Sequence, residues 1–173
     1  MKNSSSNSFR VLAIDPAIKG FGFAVLEDPE ELIDWGNRAT KAVGLNKNGA
    51  CLKQAAMLLE RYCPDVVIIE DYRHKNFRRG RRVKELLKQI AILARSRKIR
   101  VRKLSRSRVR KLFSQHKDFN KHQIALEIVK QFPELSPRVP PIRKPWMSQD
   151  MRMNIFEAIA FALVFFFSEN KRK

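Results

Sequence analysis

The sequence predicts an α/β domain built on a mixed five-stranded sheet that is flanked by helices. Residues 65–70 form an apolar, β-branched run without polar alternation, which is typical of a strand buried on both faces. Two other apolar segments, 9–15 and 21–26, are close enough in the chain to pair as a hairpin. Because a segment with helical periodicity separates this hairpin from residues 65–70, the later strand is expected to lie parallel to the first and beside it.

The first half of the chain supplies four strands and one helix. After the hairpin, a third strand is expected over 31–40 on scattered apolar residues. Apolar side chains then recur at helical spacing over 46–62, and Pro64 ends that helix. The fourth strand, 65–70, follows directly.

The second half adds helices and one more strand. Its elements are expected to be a helix over 80–98, a strand over 99–104, a short basic helix over 105–113, a helix over 120–132, a proline-rich loop over 133–147 and a final apolar helix over 148–168. Asn120-Lys-His-Gln123 resembles a capping box and fixes the start of the fourth helix.

Basic residues are in large excess. The chain has 36 Lys and Arg against 17 Asp and Glu, a formal net charge of +19. This imbalance is typical of proteins that bind a polyanion, most often nucleic acid and less often an anionic membrane surface. Segments 73–82 and 95–111 carry six and ten basic residues and no acids, which favours phosphate-backbone binding over a merely solvated face.

Cysteine usage and hydropathy indicate a cytoplasmic location. Cys51 and Cys63 are separated by twelve residues of predicted helix, about 18 Å, which is too far for a disulfide. Residues 1–8 are expected to form a disordered polar tail without a signal sequence, and 9–170 a single domain. The most apolar run, 155–167, has 13 residues including an acid and is too short to span a membrane.

Acidic residues end two predicted strands and interrupt the last helix. Asp15 ends the first strand and Glu70 the fourth, so parallel pairing brings both carboxylates to one sheet edge. Such acids repel each other unless a metal ion or a shared proton intervenes. Glu157 lies among apolar residues and shares a helix face with Asp150 and Asn154. The structural alternatives are that Asp15 is a turn-forming aspartate and that Glu157 lies on an exposed edge of the helix.

These acids stand in motifs that the sequence shares with a nuclease family. The chain resembles the RuvC-type Holliday-junction resolvases of the ribonuclease-H-like superfamily. The matching segments are Ile14-Asp-Pro16 with Gly20-Phe-Gly22, Asp65-Val-Val-Ile-Ile-Glu70, and Asn154-Ile-Phe-Glu-Ala-Ile-Ala-Phe-Ala-Leu163. Residues 105–135 are similar to the family's basic region and its lysine-bearing helix. The resemblance covers most of the chain and implies a ribonuclease-H-like fold.

The resemblance also implies an activity. It predicts a homodimeric, nucleoid-associated endonuclease that cleaves branched DNA such as four-way junctions, with Mg²⁺ as cofactor and Mn²⁺ as its substitute. Asp15, Glu70 and Glu157 are the implied catalytic carboxylates, and together with Asn154 they are the implied metal ligands. Carboxylates suit Mg²⁺ because it prefers hard oxygen donors. The helix over 80–98 is the candidate dimer interface.

This chain departs from the family pattern at three positions. Glu157 stands where the family usually has Asp, Asn154 where it has an acid or His, and Ala17 where it prefers Gly. Asp150 is an alternative source of the missing acid. The departures motivate a rival hypothesis, a non-catalytic nucleic-acid-binding protein on the same fold. A second rival is an RNA-processing nuclease of the related YqgF type.

Basic and aromatic residues near the motifs are the predicted nucleic-acid contacts. For Lys19 and Lys121 an ordinary surface position is the alternative, and for Tyr72 packing in the core or at the surface. The predicted contacts are Lys19, Tyr72, Arg73, Arg78, Arg79, Arg81, Arg82, Arg106, Arg108 and Lys121.

Overall fold

A mixed five-stranded sheet forms the centre of the computed structural model, which describes residues 8–114 and 120–170. The strands are β1 Val11–Ala17, β2 Gly20–Asp28, β3 Glu31–Ala39, β4 Val66–Glu70 and β5 Arg100–Leu104, in the spatial order β3-β2-β1-β4-β5. The three N-terminal strands pair antiparallel, whereas β4 runs parallel to both β1 and β5. The predicted fold class and the predicted neighbour of the first strand are confirmed.

Helices cover both faces of the sheet. They are α1 Asn46–Tyr62, α2 Arg81–Ser96, α3 Arg106–Phe113, α4 Lys121–Gln131 and α5 Met153–Asn170, and a 3₁₀ turn covers Pro133–Arg138. Leu12 and Ile14 of β1 pack with α1 and α2, whereas Val11 and Ala13 pack with α4 and α5. Because side chains alternate along a strand, Asp15 continues the second series and belongs to the face covered by α5.

Two predicted element boundaries are wrong. β1 does not end at Asp15, because Pro16 pairs with Phe21 and the hairpin turn falls on Ile18 and Lys19. Pro16 is tolerated there because the parallel pairing of β1 with β4 has already ended, so its missing N–H breaks no ladder bond on that side.

The last helix begins at Met153 instead of near Ser148. Asp150 therefore precedes α5, where its Oδ2 accepts a hydrogen bond of 2.7 Å from Arg152 Nη2. It does not share a helix face with Asn154 and Glu157, and it is not a substitute for the missing acid.

Gly22 allows α5 to lie unusually close to β2. A Cβ atom built on Gly22 would lie 2.4 Å from the backbone carbon of Asn154, a distance that side chains do not adopt. Gly22 is also the strand partner of Asp15. This glycine therefore sets the distance between α5 and the acid on β1, as expected for a glycine at a close backbone approach.

The apolar stripe of α2, predicted as a dimer interface, is buried against the sheet. Leu86, Leu87 and Ile90 are fully buried, and Ile92 on the other side of the helix is 64% exposed. Cys51 and Cys63 are free. Within the described residues no helix is long and apolar enough to cross a membrane. Residues 1–7 of the predicted tail lie outside the described residues.

Candidate metal centre and nucleic-acid interface

Three carboxylates from three elements meet at one edge of the sheet. The parallel register places Asp15 of β1 level with Glu70 of β4, and Glu157 reaches them from α5. All three are buried, with exposures of 0%, 2% and 7%. Arg106 contacts each of them: Nη2 lies 3.1 Å from Asp15 Oδ1, Nε 3.0 Å from Glu70 Oε1 and Nη1 2.5 Å from Glu157 Oε1. We call these three acids the carboxylate cluster.

A second arginine and a lysine complete the ion pairs. Arg79 Nη2 lies 2.9 Å from Asp15 Oδ1 and 3.8 Å from Glu157 Oε2, and its Nε lies 3.1 Å from Glu70 Oε2. Lys121, the first residue of α4, places Nζ 2.8 Å from Glu157 Oε1. Three negative side chains are therefore matched by three positive ones.

Asn154 contacts the carboxylate cluster through its amide nitrogen. Its Nδ2 donates hydrogen bonds to Asp15 Oδ2 at 2.6 Å and to the Pro16 carbonyl at 3.0 Å. Both partners are acceptors, so the amide must turn its NH₂ toward them. In this geometry the amide nitrogen of Asn154, and not the oxygen predicted as a metal ligand, faces Asp15. The hydrogen bond orients Asp15.

The carboxyl groups of Asp15 and Glu157 differ in acidity. Burial raises the pKa of Asp15 to about 7, and repulsion from Glu157 adds to the rise, although Arg79 and Arg106 act against it. Burial also opposes ionisation of Glu157, but Arg106 and Lys121 outweigh it and hold the pKa of Glu157 below its ordinary value. Asp15 is thus the weaker acid of this pair.

The donor atoms of the carboxylate cluster fit a divalent cation. Glu70 Oε2 and Glu157 Oε2 are buried and, among the described residues, accept no well-aligned hydrogen bond, although Arg79 forms an ion pair with each. Carboxylate oxygens are the donors that Mg²⁺ and Mn²⁺ prefer. Across residues 8–114 and 120–170, however, no group of three or more His, Cys, Asp or Glu is arranged as a ready-made metal site. The guanidinium groups of Arg79 and Arg106 lie among the oxygens.

A basic cavity of about 740 Å³ opens beside the carboxylate cluster. Glu70 and Asn154 line its inner wall together with Arg79, Arg106 and Lys121, and Arg78, Arg82 and Arg110 extend the lining. Several predicted nucleic-acid contacts therefore lie around one opening. The remaining basic contacts, Lys19, Arg73, Arg81 and Arg108, are exposed.

Tyr72 does not belong to this surface. It is 6% exposed and packs with the core beneath α1 and α2, and its hydroxyl accepts a hydrogen bond of 2.7 Å from Lys103 Nζ. The ring therefore presents no face for base stacking, and the core alternative for Tyr72 is the correct one.

Comparison with known proteins gives matches among solved structures only. No protein-family model matches the sequence, and neither does any curated protein. The RuvC structure from Thermus thermophilus aligns with a TM-score of 0.68 at 17% identity, over 94% of this chain and 97% of that one. The chain has the RuvC-type fold. A complex of fowlpox virus resolvase with substrate Holliday junction DNA aligns at 0.57 and 16% identity, over 91% and 99%. The yeast mitochondrial Holliday junction resolvase aligns at 0.58 and 14% identity, over 95% and 81%.

One exposed aromatic residue on this RuvC-type fold was not among the nucleic-acid contacts predicted from the sequence. Trp146 is 79% exposed, with Lys144 Nζ 5.4 Å from its ring centre. Three residues later Gln149 accepts a hydrogen bond of 2.7 Å from Lys121 and lines the cavity. Trp146 is therefore within about 11 Å of the cavity wall along the chain. The signal in the sequence was a lone tryptophan next to Arg143 and Lys144.

Proposed function

We propose that this protein is a divalent-metal-dependent endonuclease that cleaves branched DNA such as four-way junctions. The observation that carries the proposal is the carboxylate cluster of Asp15, Glu70 and Glu157, which lies beside a basic cavity on a RuvC-type fold. Similarity to a resolvase structure that contains Holliday junction DNA supports the choice of substrate.

Each residue of the site has a role in this proposal. Asp15, Glu70 and Glu157 supply oxygen ligands, and bound Mg²⁺ or Mn²⁺ supplies an activated water and stabilises the leaving oxygen. Asn154 fixes the orientation of Asp15 through its hydrogen bond. The basic residues around the cavity bind backbone phosphates, and Lys121, which lines the cavity and pairs with Glu157, is one of them.

Cleavage of a labelled four-way junction tests the proposal. We expect nicking that requires Mg²⁺ or Mn²⁺, stops with a chelator and is lost in Asp15→Asn. Binding without cleavage should weaken steeply as salt rises, because phosphate contacts release counterions. Metal-independent cleavage, or equal cleavage by Asp15→Asn, contradicts the proposal. Structured RNA serves as the comparison substrate, and its preferred cleavage indicates a YqgF-type activity instead.

A non-catalytic junction-binding protein is the second candidate. The presence of Arg79 and Arg106 among the carboxylates favours it, because fixed guanidinium groups exclude metal ions. Salt-sensitive junction binding with no Mn²⁺ bound, measured by calorimetry, distinguishes this candidate from the nuclease.

The proposed enzyme acts as a homodimer, because a four-way junction offers two equivalent strands for cleavage. Its proposed location is the cytoplasm, at the nucleoid. Light scattering with and without a junction tests the dimer. Since the apolar stripe of α2 is already buried against the sheet, the pairing surface must use other residues.

A further inference from the structure

We infer that Arg79 and Arg106 are exchangeable counter-ions: they neutralise the carboxylate cluster while no divalent ion is bound, and they transfer to phosphate oxygens when nucleic acid and metal are bound. The inference deepens the proposed nuclease function and rests on it. It assigns two successive roles to the same two side chains.

The contacts of the two arginines support the first role. Together they form ion pairs of 3.1 Å or less with Asp15 and Glu70, and Arg106 adds a contact of 2.5 Å with Glu157. Burying carboxylates side by side is costly unless cations compensate their charge. Without the two guanidinium groups, Lys121 would be the one cation among the described residues left paired with these acids.

The positions of the two arginines allow the second role. Arg79 belongs to the segment between β4 and α2, which forms neither helix nor strand, and Arg106 is the first residue of α3. Their side chains are 18% and 25% exposed and line the cavity, so each can turn toward it without moving the sheet. Guanidinium groups bind phosphate oxygens in two-pronged geometry, which makes phosphate a suitable second partner.

Charge links the two roles. A divalent ion among the carboxylates repels a guanidinium at the same oxygens, so each cation excludes the other. An arriving phosphate attracts the displaced arginines. Metal and nucleic acid should therefore bind cooperatively, and each arginine should lower metal affinity when nucleic acid is absent.

Calorimetric titration of Mn²⁺ into nucleic-acid-free protein tests the exchange. We expect Arg79→Gln and Arg106→Gln to bind Mn²⁺ at least about fivefold more tightly than the original protein, the lower end of typical coupling between sites. Arg61→Gln is the matched control, since Arg61 is exposed in the last turn of α1, belongs to neither basic segment and does not line the cavity. Unchanged or weaker Mn²⁺ binding in both site variants overturns the inference.

A second measurement separates this inference from the proposed function. Junction affinity is measured in Ca²⁺ and in chelator, and the original protein should gain at least about fivefold in Ca²⁺. Arg106→Gln should lose that gain, while Arg61→Gln keeps it. If the original protein cleaves the junction but Arg106→Gln leaves the Ca²⁺ gain in junction affinity unchanged, the exchange is overturned and the nuclease proposal stands. If the site variants bind Mn²⁺ more tightly and the Ca²⁺ gain in junction affinity depends on Arg106 as expected, but no junction is cleaved, the nuclease proposal alone is overturned.

Discussion

Asn154 Nδ2 donates a hydrogen bond of 2.6 Å to Asp15 Oδ2. Replacing Asn154 with Asp turns this donor into a fourth carboxylate. We expect Asn154→Asp to lower the free energy of unfolding by about 1–3 kcal/mol at pH 8 without metal, because a buried hydrogen bond becomes a like-charge contact. Added Mn²⁺ should restore the loss, since it binds the extra acid. Denaturant unfolding with and without Mn²⁺ measures both effects, and a loss that Mn²⁺ does not repair contradicts the prediction.

The raised pKa of Asp15 predicts how stability depends on pH. Its folded-state value of about 7 exceeds the ordinary 3.8, so the folded state holds the proton more tightly than the unfolded chain. The stability contributed by this group is present below about pH 4 and is lost as pH rises through 7. Its upper limit is about 4 kcal/mol, since one pKa unit corresponds to about 1.4 kcal/mol.

Comparison of the original protein with Asp15→Asn checks this dependence. The variant has no titrating group at this position, so its unfolding free energy should decline less between pH 4 and 7. Mn²⁺ affinity of the original protein should rise from pH 6 to 8, because the metal competes with the proton on Asp15. Parallel stability profiles for the two proteins contradict the assignment.

Gly22 is predicted to tolerate no side chain. The Cβ of Gly22→Ala would meet the Asn154 backbone at 2.4 Å, so α5 must move away from β2. We expect a loss of about 1–3 kcal/mol, typical of overpacking, together with weaker Mn²⁺ binding. Gly49→Ala is the control, because Gly49 lies in α1 with open space around its Cβ position and should be neutral or slightly stabilising. Equal stability of the two variants would count against the close approach.

Trp146 is predicted to stack on an unpaired base at a branch point. Stacking on an aromatic side chain contributes about 1–3 kcal/mol per base, so Trp146→Ala should weaken junction binding by about 5- to 150-fold. The chain has two tryptophans, and Trp35 is half-buried in β3. Quenching of fluorescence on junction binding should therefore persist in Trp35→Phe and disappear in Trp146→Phe. Quenching retained by Trp146→Phe excludes the stacking role.

The sheet and the meeting of the acids were predictable because both follow from backbone periodicity. The alternation of side-chain direction along β1 and β4 assigns Asp15 and Glu70 to one face, and the parallel register aligns them. The meeting of Glu157 with these two acids was implied by the resemblance to the RuvC-type resolvases and not by the pattern of the last helix alone. None of these inferences required knowing where the long side chains lie in the folded protein.

The partners of the acids were not predictable from local pattern. Arg79 and Arg106 belong to basic segments whose other Lys and Arg residues are mostly exposed, and the fold brings these two to the carboxylates. The start of α5 was placed too early because Asp150 favours a helix start by its charge, whereas its carboxylate pairs with Arg152 in a preceding turn. Tyr72 was misplaced because it stands in the sequence between Glu70 and the basic segment 73–82.

Pairing of every carboxylate in the cluster with a cation also affects how a polyanion approaches. Beyond about 8–10 Å, the screening distance in physiological salt, the positive charges of the three basic partners offset the negative charge of the three acids. An incoming DNA strand therefore meets no repulsive spot at the mouth of the cavity, and the attraction of a molecule with net charge +19 guides it to the place where the acids lie hidden.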